Sequence, residues 1–143
     1  MTLVFLGARP EDAVAALWEC ATEPAVACRS PVLTPTGVTP VPARRPRLFA
    51  LDLADEGGRA ALLHRAVAGA LADAGLHEPE ARPFWPHVTL ARVRRGARPG
   101  GWSPAEPWAH RFTSSVLTLY ESRPAPAGVR YRVLERLELA TST

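Results

Sequence analysis

Lysine is absent from the 143-residue sequence, so all seventeen basic residues are arginine. Together with the many Ala and Pro residues, this bias is what an arginine-favouring genome composition leaves. It also means that every cation on the chain is a planar fork suited to carboxylate or phosphate. A net charge of +3 and a pI near 9.5 permit an anionic partner without demanding one. Cysteine is nearly absent too. Cys20 and Cys28 are too few and too irregularly placed for a disulfide framework or a zinc site, and they read as reduced thiols acting as small hydrophobes. No apolar run is long enough to span a bilayer. No charged, then apolar, then small-residue leader opens the sequence, which predicts a cytoplasmic protein.

The chain has the length of one domain, residues 1–143, and its 47% hydrophobic and 22% charged residues are ordinary for a globular protein. "TLVFLG" (2–7) has the pattern of a strand buried on both sides, with Thr2, Val4 and Leu6 on one face and Leu3 and Phe5 on the other. Pro10, Glu11 and Asp12 suit a helix start, and Ala13, Val14, Leu17, Trp18 and Ala21 form one apolar stripe. The proline-rich residues 24–47 predict short extended pieces joined by turns.

A strand is expected at "RLFALDL" (47–53), with Gly57 and Gly58 at its exit. Leu62, Leu63, Ala66, Val67, Ala70, Leu71 and Ala74 then recur at helical spacing, and Gly75 supplies a stop. "PHVTLARV" (86–93) predicts another strand, followed by a loop to about Trp108. Two more strands close the chain around a turn at Pro124–Gly128. The order β-α-β-β-α-β-β-β fits an α+β domain better than a doubly wound sheet.

Chemistry concentrates at His87-Val88-Thr89. Period-two alternation sets the imidazole and the hydroxyl on one face of the strand. The first can carry a proton near neutral pH and the second can hydrogen-bond a phosphoryl oxygen. Hydrolysing a phosphodiester without a metal wants two proton carriers, and this pair supplies one.

Three stretches carry a resemblance: "RPFWPHVTLARVRR" (82–95), "FTSSVLTLYESRPAPAGVRYRVLERLEL" (112–139) and "TLVFLG" (2–7). In these the chain resembles the bacterial RNA 2′,3′-cyclic phosphodiesterases, also called 2′-5′ RNA ligases, of the 2H phosphoesterase superfamily. The resemblance runs in order over nearly the whole chain. It implies two pseudo-symmetric lobes of mostly antiparallel sheet with helices outside, each offering a His-x-Thr strand to a central cleft. It also implies metal-independent opening of RNA 2′,3′-cyclic phosphate ends to a 2′-phosphate, with no cofactor, and in some members joining of RNA ends through a 2′-5′ bond. The partners implied are RNA ends or cyclic nucleotides.

Carried over residue by residue, His87 is one acid or base, Thr89 and Thr2 hold the phosphate, and Arg92 reaches the phosphate or nearby RNA. Strict alternation puts Arg92 opposite His87, so this role requires the strand to end, bend or bulge between them. Thr2 matches the threonine of the family's first motif, with Met1 at the x position. The matching histidine then falls one residue before Met1, and the family's preceding strand and helix are missing, so the resemblance implies an N-terminally truncated fold. The expectation is a natural start upstream that restores the histidine. With one motif histidine, the rival readings are a non-catalytic RNA-end binder or an inactive fragment that self-associates, where a full-length member is a monomer.

Other residues have plainer readings. His64, His77 and His110 are expected at the surface. Arg94, Arg95 and Arg98 either track an RNA backbone or sit on a solvated loop. Phe84 and Trp85 are candidates to stack on a base, Phe84 also to pack between lobes. Tyr120, Glu121 and Ser122 read as structural, and Trp18, Trp102 and Trp108 as packing.

Overall fold

A computed structural model describes residues 1–99, 110–126 and 128–141. Its elements are helix α1 (Val14–Ala25), strands β1 (Val32–Val41) and β2 (Leu48–Asp55), helix α2 (Arg59–Asp73), and strands β3 (His87–Arg92), β4 (Phe112–Thr113), β5 (Val116–Ala125) and β6 (Gly128–Glu138). This is an α+β architecture of two helices and antiparallel sheets. One sheet has the order β3-β2-β1-β4 and the other is the β5–β6 hairpin.

Both helices form where the periodicity puts them. A single 3-10 turn over Glu11–Ala13 leads into α1, with Glu11 and Asp12 placed to favour the positive end of the helix dipole. At the start of α2, the Asp55 carboxylate accepts from the Ala60 and Ala61 amides at 2.9 Å each. Gly57 and Gly58, at φ near +65°, let the chain turn back far enough for that contact. Gly75 ends the helix at φ +70°, and the Leu76 amide closes back on the Leu71 carbonyl.

The apolar stripes of the helices meet in one core cluster: Leu17, Ala25, Leu63, Val67 and Leu71 with Leu139 from the chain's end. A second cluster, Leu33, Leu51, Leu53 and Ala60, lies between the four-stranded sheet and the start of α2. The two sheets are joined where β1 begins and β6 ends. Ser30 there is wholly buried, its amide bonded to the Ala140 carbonyl and its hydroxyl to the Leu139 carbonyl.

Two expectations need correction. The proline-rich stretch contains a ten-residue strand, β1, rather than short pieces. Among the described residues only Val32 and Leu33 of it pair with β4, so beyond them β1 is an edge there, and the register with β2 slips between Pro35 and Gly37. Edges and bulges are where a sheet tolerates residues without an N–H.

The opening segment, by contrast, forms no strand. Residues 1–7 enter no ladder among the described residues. Leu3, Val4 and Leu6 are half-buried against the helical cluster, but Phe5 is 68% exposed. A strand is stabilised by a hydrogen-bonded neighbour, and here only side-chain packing holds the segment. Trp102 and Trp108 lie outside the described residues.

Candidate active-site face

Strand register decides which side chains share a surface. Strand β3 runs antiparallel to β2 with His87 opposite Asp52, Thr89 opposite Ala50, and Arg92 opposite Leu48. Residues directly opposite in a ladder project to the same side. Asp52, Ala50 and Leu48 alternate along β2, so His87, Thr89 and Arg92 all stand on one face. Between Thr89 and Arg92 the register slips: Ala91 pairs with Phe49 while Thr89 pairs with Ala50, leaving Leu90 as the extra residue of a β-bulge. That residue resets the alternation and returns Arg92 to the side of His87.

The opposite face belongs to the core. Leu51 and Leu53 point there into the sheet–helix cluster, and Val88 and Phe84 pack against it. Ala50 has no exposed surface, and its small side chain forms the floor between Thr89 on one flank and Thr39 on the other.

His87 is held in a defined orientation. Its Nδ1 lies 2.7 Å from the Trp85 carbonyl oxygen, which can only accept. Nδ1 therefore carries the hydrogen, and in the neutral ring the lone pair sits on Nε2. The Trp85 indole stacks on the imidazole with centroids 4.1 Å apart and planes 19° from parallel. A neutral His87 thus presents Nε2 as a base, and a charged one presents Nε2–H as an acid.

Asp52 stands beside this pair on the same face. Its Oδ1 accepts from Trp85 Nε1–H at 2.9 Å and its Oδ2 from the Thr39 hydroxyl at 2.6 Å. Asp52 and Thr39 were not apparent as site residues from sequence. The available signal was an acid in the middle of the apolar strand "LFALDLAD", because a charge half-buried in a sheet needs partners.

Thr89 and Arg92 are exposed, and Arg92 forms no ion pair among the described residues. Its guanidinium is open to an anion. Thr2, in the irregular segment ahead of α1, is exposed and makes no hydrogen bond to His87 or Thr89. Phe84 lies on the helix side, where its ring stacks on His64 with centroids 4.3 Å apart. The aromatic ring beside His87 is Trp85, 37% exposed.

His64 is half-buried by the Phe84 stack rather than free at the surface. Burial lowers its pKa from the ordinary imidazole value, His77 and Arg65 push the same way, and Glu80 opposes them. His77 is half-buried and His110 exposed. Arg94, Arg95 and Arg98 are exposed beyond β3. Tyr120 and Tyr131 meet edge to face on the β5–β6 hairpin, where Glu121 bridges Arg123 and Arg132. No group of three His, Cys, Asp or Glu side chains is placed to hold a metal among the described residues.

No family model matches the chain, and no curated protein does. Solved structures do. TT0787 of Thermus thermophilus is 25% identical over 99% of this chain and 78% of its own, with a TM-score of 0.83. A phosphoesterase is 26% identical over 97% and 75%, with a TM-score of 0.77. E. coli LigT complexed with 3′-AMP is 26% identical over 96% and 75%, also with a TM-score of 0.77. The same LigT has been solved with NADP+ and with ATP. Agreement this complete in topology shows that the chain has the LigT-like 2H phosphoesterase fold.

Proposed function

We propose that this protein hydrolyses the 2′,3′-cyclic phosphate at an RNA end to a 2′-phosphate without a metal ion. The observation that carries the reading is the single sheet face shared by His87, Thr89 and Arg92. In the reaction, water forms a new P–O bond, the P–O3′ bond breaks, one proton leaves the water and another reaches O3′. His87 performs one of these transfers through Nε2, as base when neutral or as acid when charged. The Thr89 hydroxyl donates to a phosphoryl oxygen. The Arg92 fork balances the charge that gathers on the phosphorus oxygens in the transition state.

Thr2 is the second phosphate anchor in this reading. RNA ends or cyclic nucleotides are the substrates, and 2′-5′ joining is the related reaction in the other direction. LigT structures that hold 3′-AMP, NADP+ and ATP support a nucleotide-binding face. A cytoplasmic location and a chain that forms one domain belong to the same reading.

The test is incubation with a 2′,3′-cyclic nucleotide in EDTA, with the product resolved by phosphorus NMR. A 2′-phosphate is expected. A 3′-phosphate, or a reaction that requires added metal, contradicts the proposal. Binding without turnover selects the rival reading of a non-catalytic RNA-end binder.

A further inference from the structure

We propose that Asp52, acting through Trp85, is a positioning residue that holds His87 in the Nδ1–H tautomer with Nε2 aimed across the sheet face. The inference rests on the reaction assigned above, but its geometry stands apart from that assignment.

Trp85 touches His87 twice. Its carbonyl takes the Nδ1 hydrogen and its indole covers the ring. The hydrogen bond fixes rotation of the imidazole about its own axis, and the stack fixes its tilt. Neither contact helps unless Trp85 is itself fixed. Pro86, which follows it, disfavours helical backbone at Trp85 and so directs the carbonyl along the strand toward His87. The indole is tied by Nε1–H to Asp52 Oδ1, and Asp52 is tied by Oδ2 to the Thr39 hydroxyl.

The order of support is therefore Thr39, Asp52, Trp85, His87, reaching across all three strands β1, β2 and β3. An aspartate half-buried in a sheet loses part of its hydration, which its two donors offset. Placing it there gains little unless the indole it holds must be held. A proton carrier misplaced by a fraction of a bond length loses rate without losing substrate binding, because orientation is realised in the transition state.

The comparison uses wild type, Asp52→Ala, Asp52→Asn and Trp85→Phe. Nitrogen-15 NMR of the His87 ring at alkaline pH reads the tautomer, and steady-state kinetics on a 2′,3′-cyclic nucleotide read kcat and KM. Wild type is expected to show a protonated Nδ1 and a bare Nε2. Asp52→Ala is expected to mix in the Nε2–H form and to lower kcat about tenfold with KM unchanged. Asp52→Asn restores both, because its amide oxygen still accepts from the indole and its amide nitrogen can donate to Thr39.

An Asp52→Ala protein that keeps the wild-type ring-nitrogen pattern overturns the proposal, whatever its activity. So does a wild-type ring already in the Nε2–H form. If Asp52→Ala does not fold, Trp85→Phe makes the same comparison, since it keeps an aromatic ring to stack and removes the N–H that Asp52 holds. Should His87→Ala retain full activity, the assigned reaction fails while the tautomer comparison still decides the positioning.

Discussion

Arg92 stands on the same face as His87 because Leu90 is an extra residue in β3 and resets the alternation of the strand. The bulge acts as a placement device: one unpaired leucine, 52% exposed, converts a guanidinium on the core side into one on the face of the imidazole. Removing Leu90 restores strict pairing with Ala91 still opposite Phe49 and Arg92 still opposite Leu48, so Arg92 stays on the His87 face. Deletion of Leu90 is therefore expected to keep the nucleotide binding that Arg92→Ala loses. A charge-assisted contact of this kind is worth about 1.5–3 kcal/mol, so Arg92→Ala should weaken binding of a nucleoside 2′-phosphate at least tenfold by calorimetry. Arg92→Lys should recover part of the loss, since a point charge cannot span two phosphoryl oxygens. A deletion variant that binds as weakly as Arg92→Ala contradicts this account of the bulge.

Stability should divide along the two clusters. Leu63 lies in the helical core and Leu33 in the sheet–helix core, both all but inaccessible. Leu63→Ala and Leu33→Ala should each cost about 2–5 kcal/mol in urea unfolding, the sum of lost burial and the cavity left behind. Phe5→Ala should change stability by less than about 0.5 kcal/mol, because that ring is 68% exposed. A Phe5 variant as damaged as the Leu63 variant means that residues 1–7 are packed into the core.

The His64 stack predicts a loss of stability in acid. Its folded-state pKa is lowered, chiefly by burial, so the unfolded chain takes the proton first. Above about pH 6.5 the ring is neutral in both states and the contribution is fully present. As pH falls, that contribution shrinks until the pH has passed the lowered folded-state value. His64→Phe keeps a ring against Phe84 and cannot titrate. Its unfolding midpoint in urea should fall less than that of wild type between about pH 7.5 and about pH 5. Parallel declines in the two proteins rule out His64 as the source.

Much of this arrangement is legible in the sequence, and the exceptions share a cause. Alternation alone puts His87 beside Thr89, and the same rule shows that Arg92 needs an irregularity to join them. Helical spacing locates α1 and α2, and Gly75 marks the end of α2. What is not legible depends on which strand neighbours which. The prolines of residues 31–42 argue against a strand until the sheet order makes most of β1 an edge among the described residues. Asp52 becomes a site residue only when the register sets it opposite His87. "TLVFLG" has a strand's composition, yet a strand also needs a neighbour to pair with, and composition does not supply one.

The role assigned to Thr2 has its own test. A chain carrying one histidine immediately before Met1 reads His-Met-Thr-Leu, parallel to His87-Val88-Thr89-Leu90. If residues 1–7 form the other half of the site, that extended chain should hydrolyse a 2′,3′-cyclic nucleotide faster by about 10²–10⁴, the usual contribution of one acid–base group. An alanine in the same place should give no increase. Equal rates for the two extensions contradict the role given to Thr2.

The central claim is that His87 moves a proton in the opening of a cyclic phosphate. Its most direct test is the rate of 2′,3′-cyclic nucleotide hydrolysis in EDTA for wild type and His87→Ala, with circular dichroism confirming that both fold. The account predicts turnover by wild type and a loss of about 10²–10⁴ in kcat for the variant. A folded His87→Ala protein that turns over at the wild-type rate contradicts it.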